Sequence, residues 1–313
     1  MIIRSTANST QSMLNSMTSQ QNKLYELYNK INNNTKYTNI SENPIDASDI
    51  MKITKQLAEI DAYAKNISDA TSQINAQDSV FSTIVEKMQR INDLAIQAAN
   101  SPSGEDGFKA CALEIKELTE TIVNLANSQY DGKYIFAGTN VTTKPFEMLD
   151  DGSIVYNGTP ADHYAGYERT LDISDDMKIE LNSAGDSIFG TYDASVDPAT
   201  GSGLFKVLGD LNKVMNSGTI DNEGVREQLD NIQNSINHIS EIQAKHSSTV
   251  SKLTMTSETL TNTQLTLKSR KAELSEVDLP SAISELVQQN YALQASMQAY
   301  SMIANQSLLD YLR

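Results

Sequence analysis

The stretch 286-LVQQNYALQASMQAYSMIANQSLL-309 decides how this chain is read, because no charged side chain lies between Glu285 and Asp310. It is helix-forming, apolar along one side, and otherwise Gln, Asn, Ser and Ala. The opposite end mirrors it, with no charge between Arg4 and Lys23. Two long uncharged amphipathic ends suit burial against copies of the same protein. A soluble enzyme usually has loose, polar termini instead. The sequence therefore reads as one built to assemble.

Working outward, the six prolines (44, 102, 145, 160, 198, 280) divide the chain into stretches that can be tested for period. In 1–31, Ile3, Ala7, Thr10, Leu14, Met17, Gln21, Leu24, Tyr28 and Ile31 follow 3-4 spacing. This predicts a helix that stops at Asn32–Asn34, since Asn tolerates the left-handed conformation of helix ends. After a loop over 35–44, with Asp46 or Ser48 as the expected cap, a second helix reads Ile50, Ile53, Leu57, Ile60, Ala64, Ile67, Thr71 and Ile74. A phase shift is expected near Asp78–Phe81, before Ile84, Met88, Ile91, Ala95 and Ala98. A third helix carries Phe108, Cys111, Ile115, Leu118, Ile122 and Leu125.

The middle of the chain reads as β. Tyr134–Phe136 lies between Gly132 and Gly138, a hairpin is expected over Phe146–Tyr156, and alternation recurs at 171–173 and 177–181. Helix returns at Leu204–Met215. Positions 225, 229, 232, 236, 239, 243, 246, 250, 253, 257, 260, 264, 267, 271 and 274 then form an unbroken 3-4 series, ten of whose fifteen members are Val, Leu or Ile. Such a helix is roughly 75–80 Å long at about 1.5 Å per residue and needs long partners.

The expected fold is mainly α: a long antiparallel helical coiled-coil rod with paired N- and C-terminal helices and a small β-rich insert at its far end. The expected division is 1–44 with 280–313 as a terminal assembly domain, 45–130 with 204–279 as a helical rod, and 131–203 as a β-rich outer insert.

Composition narrows function. Aromatics are 6% with no Trp, so thin cores between helices are expected rather than one deep core. The net charge of −16 argues against nucleic acid or an anionic membrane as partner. Residues 146–202 hold 12 acidic and 2 basic side chains, which marks them as a solvated region. One cysteine, Cys111, excludes an intrachain disulfide. No basic stretch followed by a continuous apolar run opens the chain, so no cleaved signal peptide is expected, and no run of about 18 apolar residues suits a membrane span.

The candidates for chemistry resolve into plainer roles. His238 and His246 stand two turns apart, and His246 falls in the 3-4 series, where a polar residue sets register more often than it binds metal. Cys111 lies on an apolar stripe and reads as core. Gly201-Ser-Gly203 lacks a third glycine, since Lys206 stands there, and reads as a loop with Ser202 as helix cap. The acidic pieces at 150–153 and 172–176 lack the spacing of a calcium loop. Met13, Met17, Met297 and Met302 fall at helical spacing and suit packing. No catalytic constellation, cofactor or metal is expected.

Several local patterns resemble the flagellin-like axial proteins of bacterial flagella, and among them the hook-associated protein 3 family. They are MIIRST at the start; Ser41-Glu-Asn-Pro44-Ile-Asp-Ala47; Leu94-Ala-Ile-Gln-Ala-Ala-Asn100; Leu125 to Gly138 followed by Pro145-Phe146; Leu274 to Ile283; and Ser307-Leu-Leu-Asp-Tyr-Leu312. They cover about 1–146 and 225–313. Flagellin itself is the near rival, and a secreted coiled-coil effector or adhesin is the alternative of another class. Gly132-Lys-Tyr-Ile-Phe-Ala-Gly138 with Pro145-Phe146 favours the junction family. Two departures stand out: Asn32–Asn34 precede Lys36 where the family has a glycine, and the insert has no counterpart.

The resemblance implies a structural protein, exported through the flagellar type III pathway to the extracellular flagellum. There it forms a ring by self-association between hook-associated protein 1 and flagellin, with an export chaperone at the C-terminal helix. The expected inner packing residues are Leu14, Met17, Leu24, Ile31, Leu286, Leu293, Met297, Ile303 and Leu308. Residues 1–40 and 280–313 are expected to order only when neighbouring subunits supply partner faces.

Overall fold

The computed structural model describes residues 2–100, 104–149, 151–159, 170–180, 184–195, 200–216 and 221–311. Helix dominates. The long helices are α1 (Ile2–Asn33), α2 (Pro44–Asn100), α3 (Gly104–Ala126), α5 (Gly203–Met215), α6 (Asn222–Ser275) and α7 (Leu279–Tyr311), with a short α4 at Gly185–Phe189. The chain forms two compact units, one of residues 1–60 and 261–313, the other of residues 61–260.

In the 61–260 unit the helices expose little of their periodic stripes. On α3, Phe108, Cys111, Ile115 and Ile122 are buried. On α6, Val225, Ile232, Ile236, Ile239 and Leu253 are buried, and the remaining members of the 3-4 series are half-buried. The phase shift expected in α2 is absent. The stripe runs Ile67, Ala70, Ile74, Gln77, Phe81, Ile84, Met88 and Ile91 without a break, because Gln77 holds a core position at 2% exposure. A polar side chain at a buried position disguised the period.

Among the described residues, eight short strands, β1 to β8, lie between α3 and α5. β1 (Gln129–Tyr130) and β2 (Lys133–Tyr134) form a hairpin whose tip is Asp131-Gly132. Both tip residues have positive φ, 51° and 71°, as a two-residue type I′ turn requires. β3 (Phe146–Met148), β4 (Ile154–Tyr156), β7 (Thr191–Asp193) and β8 (Thr200–Ser202) make a four-stranded sheet in that order. β5 (Thr170–Ser174) and β6 (Met177–Glu180) pair separately. The Gly201-Ser-Gly203 segment ends this sheet. A Cβ at Gly201 would stand 2.2 Å from the Thr191 carbonyl oxygen, so its glycine serves close strand approach. Ser202 is the N-cap residue of α5 but makes no side-chain cap bond.

The β segments share their core with the helices. All six phenylalanines of the chain (81, 108, 136, 146, 189 and 205) fall in one cluster with residues of α2, α3, α5 and α6. Phe136 meets Phe189 edge-on at 5.0 Å, and Phe146 meets Phe205 edge-on at 4.9 Å. This corrects the expectation of thin cores: few aromatics does not mean dispersed aromatics. Asn127, just after α3, clamps the start of the sheet. Its Nδ2 donates to the Phe146 carbonyl at 2.9 Å, and its Oδ1 accepts from the Phe146 amide at 2.8 Å. Tyr156 Oη donates to the Phe136 carbonyl at 3.0 Å. A second, smaller cluster seats Ile173 of β5 on Ile67, Ala70, Ile74 and Leu253.

Candidate assembly interface

The unit of residues 1–60 and 261–313 is built on α1 packed against α7. The two run antiparallel, since Ser296 meets Gln20 while Ser275, beyond the start of α7, meets Lys36. Their less exposed positions keep the 3-4 spacing of a coiled-coil seam: Met13, Met17, Gln20, Leu24, Leu27 and Ile31 on α1, and Ala282, Leu286, Gln289, Leu293, Ser296 and Tyr300 on α7. Of these only Leu24 and Ala282 are buried. Ser296 Oγ lies 3.2 Å from Gln20 Oε1 and donates to it, a part-buried polar pair that fixes the register.

The turn from α1 to α2 is held by side chains. The Glu42 carboxylate accepts from Thr38 Oγ1 at 2.6 Å and from the amides of Thr38 and Asn39 at 3.0 Å each. Its second oxygen lies 3.2 Å from Lys30 Nζ. These donors, the Thr38 hydroxyl foremost, lower the Glu42 pKa to about 2. Asn43, not Asp46 or Ser48, caps α2: its Oδ1 accepts from the Asp46 amide at 3.2 Å, with Pro44 opening the helix. Tyr37 Oη donates to Asp46 Oδ2 at 2.7 Å, and the Lys36 amide donates to the Ser275 carbonyl at 2.8 Å. The turn lines a cleft of about 280 Å³ with Ile40, Ala47, Ile50 and Met51. Ile40 and Ile45 beside it are exposed.

The sequence-derived packing residues fall into three groups. Met17, Leu24, Ile31, Leu286 and Leu293 come together along the seam. Leu14 and Met297 lie off it and are exposed. Ile303 and Leu308 belong to the last turns of α7, and their side chains lie outside the described residues. A second apolar row was not read from the sequence. Leu279, Ile283, Val287 and Tyr291 recur every four residues along α7, all exposed, as are Tyr25 and Tyr28 on α1. Apolar residues thus circle α7 rather than forming one stripe, as on a helix with more than one packing partner. The i, i+4 recurrence was the available signal.

Two of the remaining candidates sit in packed surroundings. Cys111 is buried, and burial pushes its thiol pKa up, which disfavours the nucleophilic thiolate. His246 is largely buried against the ring of Phe81, and burial pushes its pKa down against the pull of Asp78. Among the described residues no group of three or more His, Cys, Asp or Glu is placed to hold a metal, and no helix is long and apolar enough to cross a membrane.

The comparisons match this arrangement end to end. The bacterial flagellin N-terminal helical region matches residues 5–141, and the bacterial flagellin C-terminal helical region matches residues 229–312. Together they take in both packed ends and well over half of the chain. The chain belongs to the flagellin family. Within that family it is similar to flagellar hook-associated protein 3 of Salmonella typhimurium, 24% identical over 95% of each chain. It is also similar to the same protein of Escherichia coli, 26% identical over 87% of each. Its fold matches the solved structure of the flagellar junction protein FlgL from Legionella pneumophila, with a TM-score of 0.58 and 16% identity over 73% of this chain and all of that one. This flagellin-family chain is a structural component of the bacterial flagellum.

Proposed function

We propose that the chain forms the junction between hook-associated protein 1 and the flagellin filament, as a ring of identical subunits, and that it is not an enzyme. One observation carries this reading. The α1–α7 pair closes a single seam and leaves Leu14, Tyr25, Tyr28, Ile283, Val287 and Tyr291 exposed, so its apolar surface is only partly used within the subunit. Neighbouring subunits are the natural cover for it.

In this reading, residues 1–44 and 280–313 are the assembly domain. Leu14, Met17, Leu24, Ile31, Leu286, Leu293, Met297, Ile303 and Leu308 line its packing faces. The expectation that the ends order only in the assembly is corrected in one respect: α1 and α7 already supply partner faces to each other within the subunit, and what polymerisation adds is cover for the apolar surface outside their seam. The lack of charge over 5–22 and 286–309 avoids burying unpaired ions between subunits. Before assembly, the exposed face of α7 is the docking site for an export chaperone, in the manner of an amphipathic helix in a groove. Export follows the flagellar type III route to the cell exterior.

Gene deletion followed by electron microscopy tests the reading. Hooks without filaments are expected, with the chain present only in trace amounts in sheared wild-type flagella. Intact filaments in the deletion strain would overturn it. Abundance as the main filament protein would make the chain a flagellin instead.

A further inference from the structure

A cavity of about 830 Å³ opens between α3, α5 and the β3–β4 hairpin. All of its lining residues belong to the 61–260 unit, so it shares none with the assembly surface of α1 and α7. Its size falls within the roughly 300–1,000 Å³ of small-ligand sites. The floor is Tyr192 of β7, a buried residue, with Gly209 of α5 beside its ring. A Cβ at Gly209 would stand 2.3 Å from that ring, so the glycine lets helix and strand meet. Charge is balanced around the walls: Lys116 and Glu120 on α3, Lys144, Glu147 and Asp151 on the hairpin side, and Lys213 on α5. Three ammonium and three carboxylate groups leave the lining neutral, in a chain whose total is −16. Asn212 of α5 adds an unpartnered acceptor. The buried Thr119 donates its hydroxyl to the Ile115 carbonyl at 2.8 Å, and so accepts from Asn212 Nδ2 at 3.1 Å. That bond decides which end of the amide faces Thr119. Asn212 Oδ1 is buried with no hydrogen-bond partner among the described residues, which is costly until a donor reaches it.

We propose that this cavity binds a neutral polyhydroxyl ligand, a short oligosaccharide. An anion would meet the Asn212 oxygen and three carboxylates, and a cation would meet three ammonium groups. A sugar hydroxyl suits both kinds of wall, because it donates to Asn212 Oδ1 or to a carboxylate and accepts from a lysine. An extended peptide also carries donors and acceptors, but its usual mode of binding to a sheet is to add a strand at an edge. β3 is an edge of its sheet, and there Asn127 already takes both the amide and the carbonyl of Phe146. The inference goes beyond the assembly reading and does not depend on it.

The test is ligand-observed saturation-transfer NMR on the full chain with maltotriose and chitotriose, each up to about 50 mM, well past a roughly millimolar Kd. Methyl phosphate and an acetylated tetra-alanine amide serve as the anionic and peptide probes. Saturable transfer to at least one sugar is expected, and none to the other two probes. Asn212→Leu should lower the affinity for that sugar by about tenfold. Lys116 and Lys144 are exposed, so a Lys116→Met/Lys144→Met variant changes the walls without touching the core. It should lower the affinity by about threefold or more. No transfer to either sugar, saturable transfer to methyl phosphate or the peptide, or an unchanged affinity in either variant overturns the inference and leaves the assembly reading standing.

Discussion

The two units use their apolar residues in opposite ways. The 61–260 unit gathers all six phenylalanines and most of the aliphatic stripes of α2, α3, α5 and α6 into one cluster, with a smaller one beside Ile173. The unit made from the two ends buries only Leu24, Ile53, Ile60 and Ala282 among its described apolar side chains, and exposes large ones along both α1 and α7. Charge follows the same division, since the uncharged runs 5–22 and 286–309 belong to the ends. One part of the chain is complete as a folded object. The other leaves apolar surface uncovered, as the assembly reading requires. Stability and assembly should therefore respond to different mutations.

The strongest break in that contrast comes from the aromatic core. Phe189 is fully buried and touches the rings of Phe81, Phe136, Phe146 and Phe205. Phe189→Ala should cost about 3–5 kcal/mol, read as a lower midpoint in denaturant unfolding of this unit. A cost below about 1 kcal/mol would mean that the cluster is not one cooperative core. Next comes Leu293→Asp on α7. It removes part of the roughly 1.5–3 kcal/mol that full burial of a leucine contributes, since Leu293 is half-buried, and places a carboxylate on the seam. Self-association should be abolished in sedimentation experiments, while the unfolding midpoint of the 61–260 unit stays unchanged. A variant that still polymerises would break the assignment of Leu293 to a packing face.

How much of this was legible depended on contrast between apolar and polar positions. α6 could be read position by position, because Val, Ile and Leu hold its stripe and Lys, Glu, Asn and Ser surround it. The hairpins β3–β4 and β5–β6 were legible through alternation and their Asp-rich turns. α1 was harder. Gln, Asn and Ser occupy both faces, so the stripe was drawn through Leu14, Gln21 and Tyr28 where the seam uses Met13, Gln20 and Leu27. A shift of one residue costs nothing in a pattern with so little contrast. β7 and β8 were missed because Thr191-Tyr-Asp193 and Thr200-Gly-Ser202 carry almost no apolar signal, and they gain their stability from sheet neighbours rather than from their own sequence. The family itself was legible in short motifs, whose order along the chain matters more than any one of them.

Acid should separate the units further. His246 lies within the 61–260 unit with Asp78 Oδ1 at 3.7 Å from its Nδ1. Burial lowers its folded pKa below the ordinary 6.5. A depressed histidine pKa means that the folded state prefers the neutral ring. Its contribution to stability is then complete above pH 6.5 and lost as the pH falls through the folded value. His246→Leu should flatten this limb of the stability curve of the 61–260 unit, measured by denaturant unfolding across pH 7 to 5. An unchanged slope would assign the acid sensitivity to other groups.

The smallest expected effect lies in the α1–α2 turn and runs through a carboxylate. Glu42 has its pKa held at about 2 against an ordinary 4.5, chiefly by the Thr38 hydroxyl and further by Lys30 and two backbone amides. A depressed carboxylate stabilises the turn above pH 4.5 and releases it as the pH drops towards 2. The side chain keeps about a third of its surface in solvent (30%), so screening keeps the effect local. The amide resonances of Thr38 and Asn39, both bonded to Glu42 Oε1, should shift together over that interval. Glu42→Gln keeps an oxygen to accept those bonds but loses the charge that draws in Lys30. It should therefore leave the turn folded at neutral pH and remove the acid transition. If the amides move identically in the variant, the turn is held by its backbone and not by Glu42.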